Sequence, residues 1–380
     1  MTGVVVAGRD AQWWAWAASR VMPATGAQMP PLGDLRTRNE HSGPAGLVVQ
    51  VGQLTGGLHV NDRPASAPDD SGWLRSAWSH LTGSVMEMRY LTGPGCVEGF
   101  LLVRSEGTSG EEAEKRVVDL RAALQVMPGH AQAVPVTDEA ETRRVLAPLR
   151  PQGGVVEVRK RVTTHRTGRV DADGPWLAAV TPLRYRRVEW GPLWAAMADL
   201  PFRTMLSVAL SPFAVGPGLR SHLAARVAEF GRLARQGPPP TGVWSAPRSP
   251  DGFAVAALPL VTDAVRRYTD RVFLTRVSLA GEEPVPGVLA ELAAETMSPR
   301  EANRGFLGAS PTVETLDHAD SATACHNLST LNFAPTSTPG VPSEAIGEVE
   351  RVLSSITDID EAAAVFRLPY RSADHGAFWG

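Results

Sequence analysis

From about residue 86 onward the chain reads as strand followed by helix, three times over, and this alternation limits the folds open to it. The first unit is Cys96 to Arg104, followed by a helical pattern from about Glu111 to Met127. Its apolar residues Ala113, Val117, Leu120 and Leu124 step by four, three and four, which places them on one helical face. The second is Arg203 to Ser211, then a helix from about Leu219 to Arg235 with Leu219, Leu223, Val227 and Phe230 as its stripe. The third is Arg271 to Ala280, then a helix from Pro286 to Met297. The spacing between units is unequal, which argues against a solenoid. Two further runs, Val155 to Val162 and Trp176 to Leu183, are bounded by turn residues. They predict a long antiparallel hairpin with a polar loop from Thr163 to Gly174. Together these elements predict a mixed α+β fold, with mainly antiparallel sheets and helices packed on one face.

The first 85 residues differ and read as an extended N-terminal arm. Residues 22 to 46 and 61 to 72 are rich in Pro, Gly, Ser and Asp, as loops and linkers are. Between them, Leu47 to Val60 reads as two short strands about a Gly56-Gly57 turn. Trp13, Trp14, Trp16, Trp73 and Trp78 crowd this segment. A binding surface and the burial of a docked N-terminal helix both account for them. Ser298 to Pro342 looks irregular, and a final helix is expected over about Ser343 to Ser355. The expected division is an arm over 1–85, α/β domains over 86–200 and 201–300, and an irregular segment with a C-terminal helix over 301–380.

Composition removes some classes of function. The hydrophobic fraction of 43% is ordinary for a globular protein and can supply a real core. A net charge of −3 selects no partner by bulk electrostatics. Of 37 basic residues 35 are arginine, beside 36 Gly and 31 Pro, as in GC-rich coding sequences; arginine abundance is therefore no nucleic-acid signal by itself. Two distant cysteines, Cys96 and Cys325, exclude a disulfide framework and fit a reducing, cytoplasmic setting. The N-terminal stretch lacks the basic-then-apolar pattern of a signal peptide. No run of about 18 apolar residues predicts a membrane span.

Motifs for chemistry are sparse. The P-loop pattern is absent, and neither Lys115 nor Lys160 follows a glycine-rich loop. Gly216-Pro-Gly218 offers helix-terminal N–H groups to an anion, although such a turn ordinarily just starts a helix. HExxH, GxSxG and paired CxxC motifs are missing. Asp317, His318, Asp320, Cys325 and His326 carry donors suited to zinc or iron. Their spacing matches no metal motif, a solvated loop accounts for them, and no metal or other cofactor is assigned. Asp171 and Asp173 fit a hairpin tip, and Asp358, Asp360 and Glu361 fit a helix N-cap.

Positive charge concentrates on the expected hairpin. Arg159, Lys160, Arg161, His165, Arg166 and Arg169 lie on one arm and its loop, and Arg184, Arg186 and Arg187 lie just beyond the other. Paired arms would present a basic ribbon to phosphates, with Trp176 and Tyr185 for stacking. A solvated hairpin in an arginine-rich chain accounts for the same residues. Arg266, Arg267 and Arg271 form a thinner second group.

Four segments carry a family resemblance. They are Met86-Glu-Met-Arg-Tyr-Leu-Thr-Gly-Pro-Gly95 with Val97-Glu-Gly-Phe100, Val156-Glu-Val-Arg-Lys-Arg161, Met205-Leu-Ser-Val-Ala-Leu-Ser-Pro212 and Ala362-Ala-Ala-Val-Phe-Arg-Leu-Pro369. The region from Met86 onward, about three quarters of the chain, resembles the N-terminal non-motor portion of HerA/VirB4-like translocase ATPases. In that family an F-R-L-P junction leads into the motor core, whereas this sequence ends at Gly380. The resemblance therefore implies a non-catalytic partner of a separate HerA/FtsK-type P-loop ATPase, in DNA translocation or anti-phage defence. Val49 to Val60 also looks like short strands of bacterial defence proteins. The alternatives are a nucleic-acid-binding module using the basic hairpin, and a metal-dependent enzyme using the Asp317 to His326 stretch. A homo- or hetero-oligomer is expected.

Overall fold

A computed structural model describes residues 3–24, 67–93, 95–151, 153–237, 248–299, 307–338, 340–371 and 379. The expected strands over Leu47 to Val60 lie outside these residues. The strands are β1 (Val5–Arg9), β2 (Gln12–Pro23), β3 (Ser84–Gly93), β4 (Cys96–Gly107), β5 (Ala131–Pro135), β6 (Val155–Arg159), β7 (Arg161–Arg166), β8 (Trp176–Thr181), β9 (Thr204–Phe213), β10 (Val272–Gly281), β11 (Thr312–Thr315) and β12 (Ile356–Asp358). The helices are α1 (Ser71–His80), α2 (Gly110–Leu124), α3 (Glu139–Leu146), α4 (Gly191–Ala198), α5 (Pro217–Leu233), α6 (Gly252–Arg267), α7 (Gly287–Met297), α8 (His318–Thr330), α9 (Glu348–Ser355) and α10 (Ile359–Val365).

Ten strands form one sheet with the path β1-β2-β4-β3-β9-β10-β6-β11; β5 adds to β2 and β12 adds to β10. β7 and β8 form a separate two-stranded sheet. Every strand pair in both sheets is antiparallel, and the fold is α+β as expected. The domain boundaries expected at 85/86 and 200/201 do not hold. β2 from the supposed arm pairs with β4, and β9 from the supposed second domain pairs with β3, so those boundaries fall inside one hydrogen-bonded sheet.

Strand alternation sorts the core. Met86, Met88 and Tyr90 of β3 point to one face, with Leu206 and Val208 of β9 and Phe273, Val277 and Leu279 of β10. α1, α2, α4, α7 and α10 pack there, and all four stripe residues of α2 are buried as the sequence predicts. Ser109 caps α2 by accepting from the Glu112 N–H. On the opposite face Val85, Leu91, Leu102 and Met205 meet Val145 and Leu146 of α3 and Ala324 and Leu328 of α8. Beside the large sheet, β8 packs on α5 and α6 through Leu177, Ala179, Phe230, Phe253 and Ala257.

Three of the N-terminal tryptophans, Trp16, Trp73 and Trp78, tie distant segments together, whereas Trp13 is exposed. Trp13, Trp14 and Trp16 lie in β2, not in a docked helix. Trp16 donates its indole N–H to Thr330 O (3.0 Å), Trp73 to Val126 O (3.0 Å) and Trp78 to Val272 O (3.0 Å), each pinning distant segments. A second clasp joins residues 67–70 to the stretch after α10. The buried Arg367 guanidinium donates to Pro68 O, Leu368 N–H donates to Asp70 Oδ2 (3.0 Å), and the Tyr90 hydroxyl donates to Arg367 O.

Candidate functional site at the fork of the sheet

β10 changes partner along its length. Ser278 to Ala280 pair with Glu157 to Val155 of β6, whereas Val272 to Leu274 pair with Asp358 to Ile356 of β12. Thr275, Arg276 and Val277 lie between, in neither register. In this notch lies a cleft of about 470 Å³, walled by β6, β10, the 333–338 loop and α9. That volume is in the range of sites for small organic molecules.

Lys160 sits where the chain leaves β6 and enters β7. Its ammonium is buried and held by Glu361 Oε1 (2.8 Å), Tyr268 Oη (2.7 Å) and Ile356 O (2.5 Å). Glu361 also accepts from Tyr268 O–H (2.8 Å) and Leu183 N–H (2.9 Å), and pairs with Arg267 (3.2 Å). Asp358 caps α10 by accepting from Glu361 N–H and pairs with Arg267 Nε (2.6 Å). Burial pushes the Lys160 ammonium down, with Glu361 opposing it. Burial and the Glu361 charge push the Tyr268 hydroxyl well up. Burial also opposes the charge on Arg267, but Glu361 and Asp358 outweigh it and hold that proton more firmly than usual.

A second charged group lies across the sheet. Glu87 and Arg276 both register with Ala209 of β9, whose small side chain lets them meet over it at 2.8 Å. Glu87 also accepts from Arg89 Nε (2.7 Å). Arg89 in turn donates to Val145 O (2.6 Å), Leu146 O (2.8 Å) and Leu328 O (2.6 Å), carbonyls in the last turns of α3 and α8. Such carbonyls lack intrahelical partners and favour a cation. Arg276 donates to Asn332 O, Asn327 clamps Ala334 through both its N–H (3.0 Å) and its carbonyl (2.8 Å), and Arg159 holds Thr336 and Ser337. The loop wall of the cleft is therefore preformed. Arg159 pairs with Glu157 and with Glu314 (3.0 Å). Burial and the nearby Glu157 raise the Glu314 carboxyl against the Arg159 charge.

The expected basic ribbon is divided by this arrangement. β7 and β8 do form a hairpin, from Arg161↔Thr181 to Arg166↔Trp176, but Val155 to Arg159 belongs to the large sheet. Lys160 and Arg169 are buried and ion-paired, Arg169 with Asp171 (2.8 Å), and Arg159 is mostly covered. Arg161 is half-buried and donates to Ala309 O (2.5 Å). Only the outer members Arg166, Arg184, Arg186 and Arg187 are exposed, and Arg187 pairs with Asp69 (3.0 Å). A buried ion pair is already neutralised, so Arg159, Lys160 and Arg169 are corrected from phosphate-binding candidates to structural residues. His165 stacks on Phe253 with ring centroids 5.5 Å apart.

The stretch expected to be irregular contains β11 and α8. Asp317 caps α8 through Asp320 N–H (2.9 Å), and Asp320 accepts from Ser337 N–H (3.1 Å). Among the described residues no group of three or more His, Cys, Asp or Glu is placed to hold a metal ion. Gly216 starts α5, and Asp358 caps α10 as expected. Sequence reading missed Arg276, Glu157 and Arg351 as cleft residues, and Tyr268 as a partner of Lys160. A lone arginine amid the β-rich Val272 to Gly281 run was the available signal for Arg276. Among the described residues no helix is long and apolar enough to cross a membrane. No family model matches the chain, and no curated protein matches it.

Proposed function

We propose that the chain is a non-catalytic subunit or platform that assembles with a separate HerA/FtsK-type P-loop ATPase in the cytoplasm, in DNA translocation or anti-phage defence. The observation that carries this reading is how the buried charges are used. Glu87, Glu157 and Glu361 each accept from a guanidinium or ammonium of the same chain. Those contacts tie the carboxylates into bridges between strands and helices of the same chain, an arrangement suited to holding a scaffold. The sequence resemblance supplies the class of partner. The Phe-Arg-Leu-Pro segment of that resemblance, residues 366–369, is part of the clasp with residues 67–70.

The test is affinity purification of the tagged chain from its native host, with co-purifying proteins identified by mass spectrometry and nucleotide hydrolysis measured with and without them. A P-loop ATPase in stoichiometric amount, with no turnover by the chain alone, is the expected result. Hydrolysis by the pure chain overturns the reading. A second reading, nucleic-acid binding, is supported by the exposed outer arginines Arg166, Arg184, Arg186 and Arg187. It requires DNA affinity that falls steeply with salt.

A further inference from the structure

We infer that the cleft at the fork of the sheet binds a small organic oxyanion, a carboxylate or phosphate carried on an apolar body. The inference goes beyond the assembly role and does not depend on it.

The charge balance of the walls leads there. Glu87, Arg89 and Arg276 form one ion-paired cluster and Glu157, Arg159 and Glu314 another, the charge of Glu157 acts on Arg276, and the two clusters together sum to zero, as do Lys160, Arg267, Asp358 and Glu361. Arg351 of α9 lines the cleft outside both groups, with its guanidinium in no ion pair among the described residues. It presents to the cleft a positive charge that no ion pair among the described residues balances.

Hydrogen-bonding capacity points the same way. The hydroxyls of Ser354 and Ser355 already donate to Arg351 O, that of Ser337 to Asp320, and Thr275 and Thr357 bond each other at 2.5 Å. One hydroxyl hydrogen of that pair and the Thr338 hydroxyl remain, and the two charged donors left over are the guanidinium of Arg351 and Arg276 Nε, which finds no acceptor among the described residues although Arg276 is only 7% exposed. A buried guanidinium N–H without an acceptor is costly, and a guanidinium fork matches a carboxylate or phosphate edge. The remaining wall is apolar, through Leu183, Leu274, Val277, Phe333, Val341 and Ile346. A ligand that fits brings acceptors and negative charge at one end and a hydrocarbon or ring at the other.

The test is calorimetric titration of the full chain with phenyl phosphate, benzoate, phenol and inorganic phosphate, repeated on Arg351→Ala and on the remote control Arg116→Ala. Saturable binding of phenyl phosphate or benzoate is expected, weakened roughly tenfold or more in Arg351→Ala and unchanged in Arg116→Ala. Arg351 is exposed and unpaired among the described residues, so its variant should keep the wild-type thermal midpoint, separating lost binding from lost folding. Preference between the two aryl anions assigns the head group. The inference is overturned if neither aryl anion saturates below ~10 mM. It is equally overturned if phenol binds as well as the anions, if inorganic phosphate binds as well as phenyl phosphate, or if Arg351→Ala binds like wild type.

Discussion

Replacing Glu361 by leucine tests the claim that Lys160 and Glu361 act as one unit. The substitution leaves the buried Lys160 ammonium with only the neutral oxygens of Tyr268 and Ile356. It also removes the acceptor of Leu183 N–H and one counter-charge of Arg267. Breaking a buried pair costs about 3–5 kcal/mol, and a stranded backbone N–H adds about 1–3 kcal/mol. Burial of the leucine side chain returns about 2 kcal/mol, so about 4 kcal/mol of destabilisation is expected for Glu361→Leu. Lys160→Met should cost less, about 2–3 kcal/mol, because Arg267 still balances Glu361. In the double variant Lys160→Met/Glu361→Leu no ammonium is stranded, so the two effects should fall short of additivity by about 2 kcal/mol. The assay is urea unfolding at pH 7, followed by tryptophan fluorescence and far-UV circular dichroism with coincident transitions required. Additivity within about 0.5 kcal/mol would refute the coupling and reduce the pair to two independent residues.

Three further outcomes are expected. Arg169→Ala should lower stability by about 2 kcal/mol while leaving DNA affinity unchanged in an anisotropy titration at low and high salt, because its guanidinium is already paired with Asp171. The Glu350 carboxyl is held down to about 2, since contacts from His222, its backbone and Arg226 outweigh the opposing effect of burial. The unfolded chain binds that proton near 4.5 and the native protein does not, so the contribution is complete above about pH 5 and is lost as pH falls toward 2. Glu350→Gln should therefore flatten the acid limb of the stability profile by on the order of 2 kcal/mol, read by urea midpoints from pH 7 to 3. Gly3→Ala should destabilise by about 3 kcal/mol in the same unfolding assay, because Gly3 has φ +58° and a Cβ there would lie 2.2 Å from Val136 O.

The parts of this fold that could be read from sequence are those written in local periodicity. The four-three-four stripe of α2 and the apolar runs of β9 and β10 are visible because each element declares its buried side on its own. The Asp358 cap was legible for the same reason, since the cap and its N3 partner Glu361 are three residues apart. Glu87 and Arg89 were not. Met86-Glu-Met-Arg-Tyr90 alternates as if one face met water, yet α3 and α8 cover that face and both charges are buried. Their partners, Arg276 and the helix-end carbonyls, are set by pairing across more than a hundred residues of sequence for all but the α3 carbonyls. The break between β6 and β7 at Lys160 was hidden in the same way. Nothing within Val155 to Val162 reveals that Tyr268, Ile356 and Glu361 converge on that one ammonium. α8 was missed because its residues are small and polar and its helix depends on the Asp317 cap and on packing through Ala324 and Leu328.

The clasp between residues 67–70 and 366–370 bears on how the chain can be made. Arg367 and Pro68 are 299 positions apart, and Tyr90 and Arg367 are 277 apart. The central strand β3 cannot satisfy its tyrosine hydroxyl until residues 366–370 have been synthesised and folded back onto it. Contacts of such sequence separation slow folding, because loop-closure entropy must be met before they form. A nascent chain that has emerged as far as Val365 holds all twelve described strands and still exposes the apolar face that Phe366, Leu368 and Tyr370 cover. For this topology the vulnerable interval runs from the completion of β12 to the emergence of residues 366–370, while the apolar face of the sheet is still uncovered.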